Sequence, residues 1–249
     1  MYFNDIHILV YVLFGVLGLA IGQFVDWMNK RLPEHESIFS KDIFDRKVKI
    51  KPNYILMVIT AIIYIVLLYF IGIQNEVIGN VKLILYLVLT PMLLSAFVID
   101  YKMQIIPNRL NLAMFEIGLI AAFIYGLDNI NITIDRFLGM FAGAAIFGLI
   151  TVIGGFIAGK EAMGLGDVKL MGALGICFGL YNIVIISVIA FLVGAILSII
   201  LLVTKIKKTD EYIPFGPFIV IATFITMLIP FNTLLGILLT VLTLGFYKM

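Results

Sequence analysis

The stretch Met163-Gly-Leu-Gly-Asp-Val-Lys169 lies between two long apolar segments and puts a carboxylate at the mouth of a predicted membrane helix. A charged side chain costs about 2.5–3.5 kcal/mol at the centre of a membrane helix, and such residues are functional by default. The two glycines allow the backbone to turn sharply and to approach another chain closely. The alternative is a Gly-rich surface turn, with Asp167 as a helix N-cap and Lys169 as a lipid anchor.

The composition predicts a polytopic membrane protein. Of the 249 residues, 63% are hydrophobic and 13% are charged, and the mean hydropathy is +1.16. A soluble domain is about 45–50% apolar and about 25% charged. The single cysteine, Cys177, excludes a disulfide or a Cys-based zinc site, and we interpret it as a small buried hydrophobe. His7 and His35 lie near segment ends, and we interpret both as interfacial or solvated rather than as metal ligands.

Apolar segments predict an all-α fold with about eight or nine transmembrane helices. The short C-terminal segments allow for a tilted, re-entrant or interfacial helix, and breaks are expected at Tyr181-Asn182 and at Pro230. Gly139, Gly143 and Gly148 in the fifth segment permit close helix–helix approach. The predicted segments are residues 6–28, 54–73, 81–99, 110–127, 137–158, 168–180, 183–203, 218–229 and 233–246.

Basic residues predict the orientation in the membrane. With the N-terminus outside, all 17 lysines and arginines except Lys82 and Arg136 fall on one side. An excess of basic residues marks the cytoplasmic side. This orientation puts Asp100, at the end of the third segment, and Asp167, at the start of the sixth, on the cytoplasmic face.

Two such carboxylates suit acid–base chemistry on a peptide bond. Like charges a few ångströms apart do not both ionise easily, so a pair can share one proton. One carboxylate then acts as base toward a water and the other as acid, with no metal or covalent intermediate. The helix dipole favours the anion at Asp167 and the neutral acid at Asp100.

The motifs around these carboxylates carry a family resemblance. Asp100-Tyr-Lys-Met-Gln-Ile-Ile-Pro107-Asn108 resembles the first aspartate motif of type IV prepilin peptidases. Gly164-Leu-Gly166-Asp167-Val-Lys169 resembles their second, the GxGD motif that presenilin-type proteases share. The resemblance spans roughly residues 20–220. Its other elements are Gly22-Gln-Phe-Val-Asp26, Arg31-Leu-Pro33, Glu36-Ser-Ile38 and Ile213-Pro-Phe-Gly-Pro217-Phe.

The resemblance implies a GxGD-type intramembrane aspartyl endopeptidase with Asp100 and Asp167 as its catalytic pair. Such enzymes remove the basic leader of type IV pilin or pseudopilin precursors at the cytoplasmic face, after a glycine and before an apolar helix. The resemblance implies that the protein lies in a lipid bilayer and does not bind nucleic acid. It also implies that the peptidase needs no metal or cofactor. Residues 1–52 would be a reduced N-terminal region and residues 53–249 the membrane-embedded peptidase domain. The residues expected to bind substrate or shape the site are Gly164, Gly166, Lys169, Pro107 and Asn108.

Many members of that family also N-methylate the new N-terminus, which would require S-adenosylmethionine. Their usual cytoplasmic loop carries two CxxC pairs and is longer, whereas this chain has one cysteine in all. Gln23 and Asp26 also stand where the family usually has Ser and Asn. We expect weak or no methyltransferase activity; a methyl-donor pocket that uses Asp26 and Glu36 is the alternative.

Two other functions compete with the peptidase. A metal-dependent membrane transferase for lipid-linked phosphates would use Asp100 and Asp167 as magnesium ligands, but such sites usually gather several loop carboxylates. A proton-coupled transporter would use the intramembrane acids as a relay, but the inverted repeats typical of transporters are not visible. Chelator sensitivity separates the first alternative from the peptidase, and cleavage of a purified precursor separates the second.

Overall fold

The computed structural model describes residues 2–4, 6–34, 51–75, 77–158, 163–204 and 213–243. His35 and the motif Glu36-Ser-Ile38 lie outside the described residues, as does the basic stretch 205–208. The chain divides into two compact units, Met1–Lys102 and Met103–Met249. These units are defined by contacts within the chain. The predicted N-terminal region, residues 1–52, and the predicted peptidase domain, residues 53–249, are regions of the family pattern, and that division stays a prediction.

The described residues form nine α-helices and one short strand pair. Strands β1 (Tyr2–Phe3) and β2 (Ile6–His7) pair antiparallel at the N-terminus. The helices are α1 (Ile8–Arg31), α2 (Tyr54–Ile71), α3 (Val77–Met103), α4 (Asn108–Gly126), α5 (Ile130–Ala158), α6 (Leu165–Phe178), α7 (Leu180–Val203), α8 (Gly216–Leu228) and α9 (Phe231–Leu242).

The predicted all-α polytopic membrane protein is confirmed. Within the described ranges, α1 to α5 and α7 are long and apolar enough to cross a membrane. The predicted count of eight or nine crossings also included α6, α8 and α9, which have 14, 13 and 12 residues. At 1.5 Å per residue these helices are only about 20 Å long, against a hydrocarbon core of about 30 Å. Each predicted segment therefore contains a helix, but three of the helices are shorter than a straight span.

In the first unit, α1 and α2 pack backbone to backbone. A Cβ added at Gly22 would lie 2.5 Å from the Leu56 carbonyl oxygen, and one at Gly18 would lie 2.8 Å from the Ala61 nitrogen. Small residues at a helix interface allow this close approach in a membrane. The contact is thus set by two glycines four residues apart in α1.

The interior of α3 contains a proline whose cost to the helix is offset by α2. Pro91 has no N–H, so the carbonyl of Leu87, four residues earlier, loses its helical donor. The buried Tyr64 of α2 donates its hydroxyl to that carbonyl at 2.9 Å. In an apolar environment a backbone carbonyl needs such a replacement donor. The α2–α3 contact therefore includes this hydrogen bond.

In the second unit, α6 is the buried helix, packed against α4, α5 and α7. Gly139 and Gly143 of α5 face the backbone of α6 at Gly175 and Met171, as their spacing predicted. Gly148 has no such close neighbour, since its nearest atom is Val168 Cγ1 at 3.9 Å.

The break after α6 was predicted two residues too late. The chain turns at Gly179, which has φ +83°, and α7 begins at Leu180. A positive φ favours glycine, so the turn forms there rather than at Tyr181-Asn182. The predicted break at Pro230 is confirmed, because Pro230 is the N-cap of α9.

We expect Tyr64→Phe to lower the free energy of unfolding by about 1 kcal/mol, because the Leu87 carbonyl loses a donor. Tyr54→Phe is the matched control, since Tyr54 lies on the same helix and is 70% exposed. In a Pro91→Ala background the helix regains its own N–H donor, so Tyr64→Phe should cost clearly less. Denaturant unfolding in detergent measures the stability of the wild type, of the three single variants Tyr64→Phe, Tyr54→Phe and Pro91→Ala, and of the double variant. If Tyr64→Phe lowers the free energy of unfolding equally with and without Pro91, the Tyr64 hydroxyl does not replace the donor that the proline removes.

Candidate active site

Asp100 lies in the last turn of α3, in the first unit. It is 4% exposed. The segment was predicted to end at Ile99, but α3 continues to Met103, and the chain leaves the helix at Gln104 with φ +58°. Asp100 is therefore held on a rigid helix rather than in the following loop.

Asp167 lies in the first turn of α6, in the second unit. The N-cap is Gly164, and the Asp167 N–H donates to the Gly164 carbonyl at 3.1 Å. Asp167 is thus the third helical residue rather than the N-cap that the alternative interpretation of this turn required. The side chain is buried, with 3% exposed. Its place at the helix N-terminus favours the ionised carboxylate.

The start of α4 holds the Gly-Leu-Gly-Asp turn in place. The Asn111 side-chain Nδ2 donates to the Gly166 carbonyl at 3.2 Å, and Lys169 Nζ donates to Asn108 Oδ1 at 2.8 Å. Gly166 also faces Ile106, and a Cβ added there would lie 3.2 Å from the Ile106 Cβ. The end of the first motif and the whole of the second therefore meet within the second unit.

Two residues of the first motif, Pro107 and Asn108, form the start of α4. Pro107 is the N-cap, and its carbonyl accepts the N–H groups of Leu110 and Asn111. Asn108 is the first helical residue, and its side chain bonds Lys169 instead of capping α4. Proline fixes φ near −65°, which suits the entry to a helix. Asn111 was not singled out from the sequence, although its spacing of three from Asn108 puts both amides on one helix face.

The other end of α6 is capped by side chains of its neighbours. Arg136 Nη1 donates to the carbonyls of Ile176 and Cys177, and its guanidinium lies 4.4 Å from the Tyr125 ring centroid. Asn182 Nδ2 donates to the Phe178 carbonyl at 2.9 Å. The remaining terminal carbonyl, that of Gly175, accepts the N–H of Gly179 at 2.8 Å. The last four carbonyls of a helix lack internal donors, and here all four have one.

The family stretch Ile213-Pro-Phe-Gly-Pro217-Phe is held by a cluster of aromatic side chains. Phe215, the N-cap of α8, packs against Phe147 of α5 and Phe191 of α7, with ring centroids 5.8 and 5.1 Å away. Phe218 lies 5.6 Å from Phe215 in a T-shaped arrangement. Among the described residues, Ile213-Pro-Phe-Gly-Pro217 therefore packs on α5 and α7 through its aromatic side chain.

The family stretch Gly22-Gln-Phe-Val-Asp26 connects α1 to the start of α2 through hydrogen bonds. Asp26 Oδ2 pairs with Lys30 Nζ at 2.5 Å, and Asp26 Oδ1 accepts the Asn53 side-chain amide at 2.8 Å. Gln23 Oε1 accepts the Asn53 backbone N–H at 3.0 Å, while Asn53 Oδ1 caps α2 by accepting the Leu56 N–H. Both departures from the family pattern, Gln23 and Asp26, are thus engaged with one capping residue.

We expect Gly166→Ala to be at least about 1 kcal/mol less stable than Gly148→Ala, because Ile106 must move to accept the new Cβ. At Gly148 the added Cβ meets only ordinary contacts, so the gain in helix propensity should stabilise the protein by up to about 1 kcal/mol. The comparison uses unfolding in one detergent. Equal stabilisation by both substitutions would contradict the packing described for Gly166.

Comparison with known proteins gives an independent assignment. Residues 87–199 match the sequence model of the type IV leader peptidase family. Three similar proteins are each named prepilin leader peptidase/N-methyltransferase. That of Pseudomonas aeruginosa is 35% identical over 147 residues, or 57% of this chain and 48% of the relative. That of Legionella pneumophila is 34% identical over 149 residues, or 59% and 50%. That of Aeromonas hydrophila is 32% identical over 142 residues, or 57% and 48%.

The chain spans about half the length of these curated relatives. No solved structure matches it. The matched range includes both Asp100 and Asp167. The family resemblance predicted from the motifs is therefore confirmed by a match to the type IV leader peptidase family over residues 87–199.

Proposed function

We propose that the protein is a membrane aspartyl endopeptidase that removes the leader of type IV pilin-like precursors. The observation that carries the proposal is the buried Asp167, set in the first turn of α6 and held from α4. A second buried carboxylate, Asp100, lies within the same family match. Carboxyl groups are among the side chains that act as general acids and bases in enzymes, so two of them in one family match suit acid–base catalysis.

The two carboxyl groups have complementary roles in this proposal. Ionised Asp167 takes a proton from water as the water oxygen bonds to the scissile carbonyl carbon. Neutral Asp100 gives its proton to the carbonyl oxygen, which yields a tetrahedral diol. When the C–N bond breaks, the proton on Asp167 passes to the leaving amine, and Asp100 regains one from the diol. Each of the two steps needs one carboxyl group as acid and the other as base, so neither residue replaces the other.

The residues around the turn shape this site. Gly166 lets the turn pass close to Ile106, Gly164 is the N-cap of α6, Pro107 begins α4, and Asn108 holds Lys169. We propose that the site faces the cytoplasm in the cytoplasmic membrane, because the basic loops mark that side. A precursor with a basic leader and an apolar helix would present its cleavage site at this interface.

Methylation is a separate question, since the relatives' names include it. Both oxygens of Asp26 are engaged, with Lys30 and Asn53, so this carboxylate is not available to a methyl donor. Among the described residues, the adjacent cavity of about 370 Å³ is lined by Asp26, Lys30, Lys51, Pro52, Asn53, Tyr54 and Ile55. Asp26 is already paired with Lys30, and the second cation, Lys51, disfavours the sulfonium of S-adenosylmethionine, so these residues do not fit that cofactor. We propose a peptidase with weak or no N-methyltransferase activity.

The catalytic pair is tested by Asp100→Asn and Asp167→Asn. Each change should lower the cleavage rate of a prepilin-like precursor by about 100- to 10,000-fold, because each removes one proton-transfer group. Product mass after incubation in lipid gives the rate. Asp128→Asn, at an exposed position after α4, is the matched control. Near-normal cleavage by either catalytic-pair variant would rule out the pair.

The methylation proposal is tested by incubating the protein with precursor and S-adenosylmethionine together. We expect the mature N-terminal peptide to carry no added methyl group in most of the product. Omission of the methyl donor provides the baseline mass. A donor-dependent gain of one methyl group in most of the product would overturn the proposal.

A further inference from the structure

Asn111 has a buried hydrogen-bond acceptor beside the Gly-Leu-Gly-Asp turn. The residue is 4% exposed, in the first turn of α4. Its Nδ2 donates to the Gly166 carbonyl at 3.2 Å, next to Asp167 in the chain. Its Oδ1 is buried, and among the residues that the structure describes it has no hydrogen-bond partner. A buried polar atom without a partner is uncommon in native proteins and calls for an explanation.

The orientation of this amide follows from its neighbour. The two polar ends of an amide are distinguished by the groups they face. The Gly166 carbonyl is an acceptor only, so the end of the amide that meets it must be the NH₂ group. Oδ1 is therefore the end that has no partner in the described part of the chain, and it is bonded to the same carbon as the nitrogen that holds the turn.

This acceptor suits a peptide in extended conformation. A peptide bond that is to be hydrolysed must leave its helix, which frees backbone N–H groups. In apolar surroundings such groups need acceptors. Lys169 cannot serve, because an ammonium is a donor only and this one bonds Asn108. The neutral Asn111 offers an acceptor that does not compete with the carboxylates for protons.

We propose that Asn111 Oδ1 accepts a hydrogen bond from a backbone N–H of the peptide being cleaved, near the scissile bond. The inference rests on the proposed endopeptidase function. Asn111 then has two tasks, since one end of its amide fixes the turn that carries Asp167 and the other end aligns the substrate beside that turn. It is a substrate-binding residue rather than a proton-transfer group.

The test replaces one substrate amide at a time by an ester, which removes a single N–H. The probe is a synthetic peptide with a basic leader ending in glycine, followed by an apolar segment. For the wild type, one ester position near the scissile bond should lower kcat/KM by about 10-fold, the typical worth of one hydrogen bond. Asn111→Leu should be slower on the all-amide peptide and should show no further loss at that position.

Two controls make the result specific. At every other position the ester should affect Asn111→Leu and the wild type equally. Lys169→Met, which removes the neighbouring hydrogen bond to Asn108, should keep the wild-type ester penalty. Ester penalties that remain in Asn111→Leu at every position would overturn the inference, because a residue with only a structural role lowers the rate for all peptides alike.

The design separates this inference from the function on which it rests. Wild-type cleavage of the all-amide peptide, lost in Asp167→Asn, supports the function whatever the esters show. Absence of wild-type cleavage overturns the function and the inference together. Asn111→Ala provides a second variant without the acceptor, and thermal melting identifies which of the two variants is folded.

Discussion

A helix that ends among other helices cannot leave its terminal carbonyls to water, and α6 satisfies them with donors from its surroundings. Its last four carbonyls are bonded by Arg136, Asn182 and the turn at Gly179. A cation at this end is also favoured by the helix dipole. The short length of α6, its burial and its contacts with α5 all depend on this arrangement, because bare carbonyls in apolar surroundings cost several kcal/mol each.

The N-terminal end of α6 is held in a different way. Hydrogen bonds from Asn111 and to Asn108, together with the missing Cβ of Gly166, fix the turn against the start of α4. Asp167 thus sits on a helix that is constrained at both ends. A functional carboxylate gains from such support, because catalytic geometry tolerates displacements of only about 0.5 Å.

Much of this arrangement could be predicted from local patterns in the sequence. Hydropathy located the helices, glycine spacing located two contacts of α5 with α6, and the motifs located Asp167 at a helix start. The pairing of Asn111 with Gly166 could not be predicted, because the two are 55 residues apart and only the packing of α4 on α6 joins them. The turn at Gly179 was missed because glycine permits a positive φ but does not require one, and the polar pair Tyr181-Asn182 two residues later predicts the break instead. The extension of α3 to Met103 was missed because apolar content ends before the helix does.

The proline in α3 has a mechanical consequence for the first unit. Asp100 lies nine residues beyond Pro91, so any bend of α3 with its pivot at the proline would displace Asp100 over a lever arm of about 14 Å. A rotation of about 5° at that pivot would carry Asp100 through about 1 Å, twice the tolerance of a catalytic group. The hydroxyl of Tyr64 is bonded at the pivot itself. This hydrogen bond from α2 therefore restrains bending of α3 between Pro91 and Asp100.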